Sequence, residues 1–212
     1  MYSPEYLKRI RELCDRYKVH LIADEIAVGF GRTGSFFACE QAGIWPDMLC
    51  LSKGITAGYL PLSLVMTTDR IYSAFYDTDI ARGFLHSHSY TGNPLACRAA
   101  LASLELFRLH DVINQNRIIS GKINLALESL KQHSCVRHFR NRGMIWAFDA
   151  VMTPEKQATF PRRFFETALK HELLMRPIGN TVYLMPPYIL NDTDIEQLTE
   201  KTITVFNEVI QA

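Results

Sequence analysis

Asp24 and Lys53 are the residues best placed for chemistry, because each follows a short, mostly apolar stretch of the sequence. Those stretches, residues 19–23 and 48–51, have the composition of buried strands, and open α/β sheets bind ligands beyond the carboxyl ends of their strands. A lysine can form a Schiff base with the aldehyde of pyridoxal phosphate, and a carboxylate can keep the pyridine nitrogen of that cofactor protonated. The two residues alone favour a plain ion pair or two solvated side chains, because Asp and Lys are common and usually exposed.

Residues 29–34 read Gly-Phe-Gly-Arg-Thr-Gly, a G-x-G-x-x-G sequence that follows the first of these strands. In a dinucleotide site such glycines open a full helix that holds the pyrophosphate. The segment that follows here is only residues 35–42, which Gly43 and Pro46 end. The sequence therefore argues against a nicotinamide or flavin site. Arg32 in this segment is either a polar contact to a substrate or an organiser of its loop.

Metal and disulfide sites are not indicated. His86 and His88 form an H-x-H pair, but no third ligand is spaced to join them. The five cysteines are dispersed and none belongs to a C-x-x-C pair, which is typical of reduced thiols in the cytosol.

Composition places the chain among ordinary globular proteins. Of its 212 residues 48% are hydrophobic and 21% are charged, and the formal net charge is +1. This balance does not indicate a nucleic-acid or acidic-lipid surface as the main partner. Because the sequence contains neither a long apolar run nor a leader-like start, we expect a soluble, cytoplasmic protein without a membrane span.

Hydrophobic periodicity predicts α/β structure up to about residue 110 and α+β structure after it. The first part has helices at 3–18 and 94–109 and buried strands at 19–23, 48–51 and 62–67. The second part has helices at 112–132 and 161–173 and a last helix capped by Thr193 and Glu196. It also has a strand at 144–151 and a hairpin whose two strands are residues 174–176 and 181–184. Three strands are too few for a stable doubly wound sheet, so the first part is expected to belong to a larger sheet.

Four segments, residues 24–34, 46–47, 52–54 and 89–96, together resemble the core motifs of the class III aminotransferases. This resemblance implies the α/β fold type I of pyridoxal phosphate-dependent transferases. It implies that 1–110 is the C-terminal part of the cofactor-binding large domain and 111–212 the C-terminal small domain. It also gives roles to four residues of the cofactor site: Lys53 carries pyridoxal phosphate, Asp24 pairs with its ring nitrogen, and Ser89, beside Tyr90, binds the phosphate held by a neighbouring subunit.

Residues 174–188, with residues 38–47, are similar to the biotin-synthesis branch of that family, whose members transfer an amino group from S-adenosylmethionine to 8-amino-7-oxononanoate. The resemblance implies that Arg176 holds the substrate carboxylate, for which a planar guanidinium is suited. A surface salt bridge is the other interpretation of Arg176. Tyr183 either lines the substrate pocket or packs as a strand residue.

The resemblance implies a cytoplasmic homodimeric transaminase of which this chain is the C-terminal half. The Gly/Ser loop that binds the cofactor phosphate and the ring that stacks on the pyridine belong to the front half of the family pattern, so we expect the chain to be inactive alone. Two alternatives remain: another class III ω-aminotransferase that uses ornithine, 4-aminobutyrate or β-alanine, and a non-catalytic assembly fragment.

Overall fold

A computed structural model describes residues 1–211, which divide into two compact units, the first running from Tyr2 to Ile113 and the second from Asn114 onward. In the first unit three short strands form one sheet in the order β1-β2-β3, in which β1 and β2 are parallel and β2 and β3 antiparallel. Its elements are α1 (Pro4–Tyr17), β1 (Ile22–Asp24), β2 (Met48–Leu51), β3 (Leu64–Thr67), α2 (Asp69–Phe75) and α3 (Pro94–Leu109), with 3₁₀ turns at Ala38–Ala42, Lys53–Thr56 and Ile80–Arg82.

The expected first helix is present, with local sequence at both of its ends explaining its length. The Ser3 hydroxyl accepts a hydrogen bond from the N–H of Tyr6, and Pro4 occupies the first turn, where its missing N–H costs nothing. Lys18 ends the helix in the left-handed conformation. None of the α1 side chains is fully buried, although Leu7 and Ile10 lie on its half-buried face.

The prediction of a buried first strand was wrong. β1 lies at the edge of the sheet, pairs with β2 alone among the described strands, and leaves Ile22 58% exposed. The reason is that a strand is buried on both sides only when neighbours and helices cover it, and the described chain supplies one neighbour. The small core of this unit consists of Phe30, Leu49, Leu51, Ile55 and Ala100.

The second unit packs helices against an antiparallel sheet of order β4-β5-β6. Trp146, Phe148 and Phe206 are fully buried at the centre of an 18-residue core. Its first helix, α4 (Val112–Ala126), begins two residues before the boundary between the units. The elements after it are α5 (Glu128–Lys131), β4 (Val136–Arg142), β5 (Ile145–Ala150), α6 (Pro154–Gln157), α7 (Phe160–Lys170), β6 (Thr181–Leu184) and α8 (Asp192–Gln211).

Two predictions for the second unit were wrong. Residues 174–176 form no strand, and β6 pairs instead with β5, whose other neighbour β4 the sequence analysis missed. β4 is an edge strand of sequence Val-Arg-His-Phe-Arg-Asn-Arg, whose charges are typical of a protected sheet edge but hide the alternation of apolar and polar residues.

The second of these predictions concerned the cap of the last helix. The helix is capped by Asn191 and Asp194, each of which accepts the other's N–H, and not by Thr193 and Glu196.

Asp47 ties the elements of the first unit together through its buried carboxylate. Oδ2 accepts the N–H of Leu21 at 2.9 Å and Nη1 of Arg11 at 2.7 Å, and Oδ1 accepts Nη2 of Arg70 at 3.2 Å. The N–H of Leu21, followed by the Arg11 guanidinium, holds the pKa of this carboxyl well below its usual range. One side chain thereby connects α1, α2 and the chain segments that enter β1 and β2.

Replacing Asp47 with asparagine should lower the free energy of unfolding by about 1–3 kcal/mol, the cost of losing charged hydrogen bonds at a buried site. Because folding lowers this pKa, the carboxylate stabilises the fold fully above an unfolded-state pKa of about 4, and the effect is lost as pH falls through the folded pKa. Urea unfolding at several pH values should therefore show a constant difference near neutrality that shrinks in acid. Asp69→Asn, at an exposed position of the same unit, is the control, and an equal loss in that variant would contradict the account.

Candidate functional site

Asp24 and Lys53 both lie at the carboxyl ends of the parallel strands of the first sheet, and this end is called the sheet edge of the candidate site. Asp24 is the last residue of β1 and lies opposite Cys50 in the parallel register, and Lys53 follows the end of β2 by two residues. Both side chains are exposed, so the carboxylate and the amine are accessible. The structure thus brings to one sheet edge the two residues that the sequence analysis paired.

Lys53 has an uncommon backbone conformation that its neighbours maintain. Its φ of 45° lies in the left-handed region, which costs free energy in a residue other than glycine and is enriched at functional sites. Lys53 opens a 3₁₀ turn, and on either side of it Ser52 Oγ donates to the carbonyl of Leu62 at 2.7 Å and Thr56 Oγ1 donates to the carbonyl of Leu60 at 2.6 Å. Within residues 1–211 Lys53 forms no ion pair, which leaves its amine available to a ligand.

The Gly-rich segment 29–34 forms a compact loop and does not begin an α-helix. The N–H of Gly31 donates to the carbonyl of Phe36 at 3.2 Å, and the N–H of Gly34 donates to the carbonyl of Gly31 at 3.0 Å. The buried ring of Phe30 contacts the rings of Phe36, Phe37 and Phe107 edge-on or tilted. The helical structure that follows is only the 3₁₀ turn Ala38–Ala42, which is not the full helix of a dinucleotide site.

Arg32 lies half-buried within this loop, and its N–H donates to the carbonyl of Gly29 at 3.5 Å. It belongs to the same unit as Asp24 and Lys53. Its contribution to a substrate site stays a prediction.

Glu25 is a site residue to which the sequence analysis gave no role. Its side chain is 3% exposed, Oε2 accepts the N–H of Ala38 at 2.7 Å, and Oε1 accepts the N–H of Cys39 at 2.8 Å. Burial, followed by the proximity of Glu25, raises the pKa of the Cys39 thiol to about 12. The signal available in the sequence was alternation, because the residue after an outward-facing Asp24 must face inward.

Ser89 and Tyr90 lie on an exposed segment that leads into α3. The N–H of Tyr90 donates to Nδ1 of His88 at 3.2 Å, and Tyr90 is 75% exposed. No hydrogen bond joins this segment to Asp24 or Lys53 in the part of the chain that the structure describes. His86 stacks on Phe84, and no metal-binding group of His, Cys, Asp or Glu occurs among residues 1–211.

Arg176 and Tyr183 belong to the second unit. Arg176 is exposed, follows the buried Met175, and forms no ion pair with any residue between 1 and 211. Tyr183 is half-buried in β6 opposite Ala147. Their roles in substrate binding stay predictions.

The groups at the sheet edge fit part of a pyridoxal phosphate site. The Lys53 amine can react with an aldehyde. The Asp24 carboxylate accepts the N–H of Ile26 through Oδ1 at 3.0 Å and can also accept a hydrogen bond from a ring nitrogen. The donor set therefore matches the reactive end of that cofactor.

Comparison with known proteins agrees with this match. The family model for class III aminotransferases matches residues 1–206. The adenosylmethionine-8-amino-7-oxononanoate aminotransferases of Helicobacter pylori and Synechococcus elongatus are 44% and 39% identical to the chain, over 99% of it and 49% of each relative. The chain thus spans about half the length of these curated relatives. Within residues 1–211 no helix is long and apolar enough to cross a membrane.

Solved structures give the same result for the fold. The aminotransferase of the same name from Methanocaldococcus jannaschii is 35% identical with a TM-score of 0.88, over 96% of this chain and 49% of that one. An amine transaminase from an uncultivated Pseudomonas species, in its PLP-bound form, is 33% identical with a TM-score of 0.87, over 97% of this chain and 48% of that one. The expected α/β fold type I is confirmed.

Gly54, next to Lys53, should not tolerate a side chain. A Cβ there would lie 2.9 Å from both Cβ and Cδ2 of the buried Phe30, so Gly54→Ala should cost about 1–3 kcal/mol of unfolding free energy through overpacking. Gly121→Ala in α4 is the matched control, because a Cβ there meets no atom within 4 Å and alanine favours a helix. Thermal unfolding of both variants measures the difference in their stability. Equal stability of the two would show that the Lys53 turn is not tightly packed.

Proposed function

The chain belongs to the class III aminotransferases, and we propose that it is the C-terminal half of an adenosylmethionine-8-amino-7-oxononanoate aminotransferase. The observation that carries the proposal is the parallel pairing of β1 with β2, which places Asp24 and Lys53 at one sheet edge. The relatives of that name that are 33–44% identical support the substrate assignment. The reaction is amino transfer from S-adenosylmethionine to 8-amino-7-oxononanoate, which gives 7,8-diaminononanoate for biotin synthesis.

In this proposal Lys53 and Asp24 hold pyridoxal phosphate. When bound, the cofactor supplies an electron sink for amino transfer. Asp24 holds a proton on the pyridine nitrogen, because a carboxylate beside that nitrogen favours its protonated form. Nζ of Lys53 is the general base that moves the proton at the amine-bearing carbon of the substrate.

The proposal also gives roles to the remaining predicted residues. Ser89 and Tyr90, on their exposed segment, bind the phosphate held by a second subunit of a cytoplasmic homodimer. Arg176 binds the carboxylate of 8-amino-7-oxononanoate, for which its exposed guanidinium is suited. Arg32 and Tyr183 contribute polar and aromatic contacts to the substrate.

A second candidate is another class III ω-aminotransferase. An ornithine aminotransferase from Toxoplasma gondii shares the fold with a TM-score of 0.84 at 25% identity, below the identity of the biotin-pathway relatives. To separate the two, the protein that contains this chain is loaded with cofactor and mixed in turn with S-adenosylmethionine, ornithine, 4-aminobutyrate and β-alanine. Conversion of the cofactor to its amine form with S-adenosylmethionine alone supports the proposal, and conversion only with another donor contradicts it.

The third candidate, a non-catalytic assembly fragment, is tested with the 212-residue chain alone. We expect weak, non-stoichiometric cofactor binding, self-association through the open β1 edge and no measurable amino transfer, because the phosphate needs an anion site that Lys53 and Asp24 do not provide. Stoichiometric binding with turnover would show that the chain is sufficient by itself. A full-length protein without turnover would favour the fragment hypothesis.

Lys53→Ala in the complete protein should abolish covalent attachment of the cofactor and lower turnover by several orders of magnitude, as for the loss of a covalent nucleophile. Borohydride reduction followed by peptide mass spectrometry measures the attachment. Lys131→Ala, which removes an exposed lysine paired with Glu128, is the control and should change neither quantity. Attachment that persists in the Lys53 variant, at Lys122 for example, would make the assignment wrong.

Arg176→Lys should lower kcat/KM for 8-amino-7-oxononanoate, because a point charge replaces a planar two-donor group. The expected loss of transition-state stabilisation is about 1.5–3 kcal/mol. The half-reaction with S-adenosylmethionine should suffer less. Arg162→Lys, at an exposed ion pair with Glu166 on α7, is the matched control. Equal losses in both half-reactions would show that Arg176 shapes the site in general and does not hold this carboxylate.

A further inference from the structure

The buried carboxylate of Glu25 has an unusual set of partners. It has no cationic partner among residues 1–211, and the N–H groups of Ala38 and Cys39 donate to its two oxygens at 2.7 and 2.8 Å. A buried charge is costly unless hydrogen bonds compensate for it, and these are the first N–H groups of a helical turn, which have no partner inside the turn. Glu25 therefore fastens the end of β1 to the Ala38–Ala42 turn.

The main chain of Glu25 is fixed as firmly as its side chain. Its N–H donates to the carbonyl of Cys50 at 3.0 Å, which extends the parallel pairing by one residue beyond Asp24. Its carbonyl accepts the N–H of Gly29 at 2.9 Å, and a Cβ on Gly29 would lie only 2.9 Å from that oxygen. Residue 25 is thus held by three elements of the first unit.

Asp24, in contrast, has little support of its own. It is exposed, and within residues 1–211 its carboxylate has a single hydrogen bond, from the N–H of Ile26 to Oδ1. Because successive side chains of a strand point to opposite faces, an inward Glu25 requires an outward Asp24. We propose that Glu25 is a positioning residue, whose two N–H bonds hold Asp24 in the orientation that the cofactor nitrogen requires. This inference rests on the proposed function of Asp24.

The hydrogen-bond donors around residue 25 explain why a carboxylate is needed there. A carboxylate only accepts hydrogen bonds, so both oxygens can serve N–H donors, whereas a glutamine amide would turn an NH₂ group toward one of them. Cys39, whose thiol lies beside Glu25, stays protonated at neutral pH and adds no second negative charge. Glu25→Gln is therefore nearly isosteric and still breaks one of the two bonds.

Amide hydrogen exchange of the chain tests the attachment without any cofactor. Glu25→Gln should speed exchange at the Ala38 and Cys39 amides by at least about tenfold, because both lose protection when the turn opens. Glu40→Gln, an exposed change on the same turn, is the control and should leave these amides as in the wild type. Unchanged protection in Glu25→Gln overturns the proposal.

The second measurement is the pH titration of the visible absorption of bound pyridoxal phosphate in the complete protein. Glu25→Gln should shift the midpoint in the same direction as Asp24→Asn, by about half a pH unit or more, and Glu40→Gln should not. A lowered melting temperature with an unmoved midpoint means a merely structural role and overturns the proposal. If Glu25→Gln does not fold, the same comparison is made with Glu25→Asp, which keeps the charge but shortens the reach. A wild-type protein without the absorption band overturns the proposed function itself.

Discussion

The parallel hydrogen bonding between β1 and β2 is the interaction on which the candidate site depends. It places Asp24 opposite Cys50, and one further bond, from the Glu25 N–H to the Cys50 carbonyl, continues the pairing by one residue before the chain leaves the sheet. Since strand pairing fixes side-chain direction with a period of two, a slip of one residue would bury Asp24 and expose Glu25. Asp47, Glu25 and the packing of Gly54 against Phe30 all hold this register or the turns that leave it.

The sequence predicted the positions of Asp24 and Lys53 at strand ends better than it predicted their surroundings. The apolar stretches before Asp24 and Lys53 were sufficient to place both residues at strand ends, because strand composition is a local property. The network of Asp47 joins residues from 11 to 70, and the partners of Glu25 lie 13 and 14 residues away, so neither follows from local pattern. β4 was missed because its charges mask alternation, whereas Leu174 and Met175, beside the Gly179-Asn180 turn, favoured a strand that is absent.

The two units differ in how far they can bury apolar surface by themselves. The second unit has 18 buried core residues, whereas the buried cluster of the first has five, with Ile22, Val65 and Met66 exposed on its short strands. The unpaired backbone N–H and C=O groups of an open sheet edge are a common docking surface for further strands. The small core of the first unit agrees with the coverage of the comparisons, in which the chain spans about half the length of its relatives.

The central claim is that Asp24 and Lys53 serve one cofactor, and the protonation state of the pyridine nitrogen tests it most directly. Nitrogen NMR of the complete protein loaded with ¹⁵N-labelled pyridoxal phosphate reports that state. The account predicts a protonated nitrogen in the wild type and its deprotonation in Asp24→Asn, with the cofactor still attached to Lys53. A nitrogen that has the same shift in both proteins would contradict it.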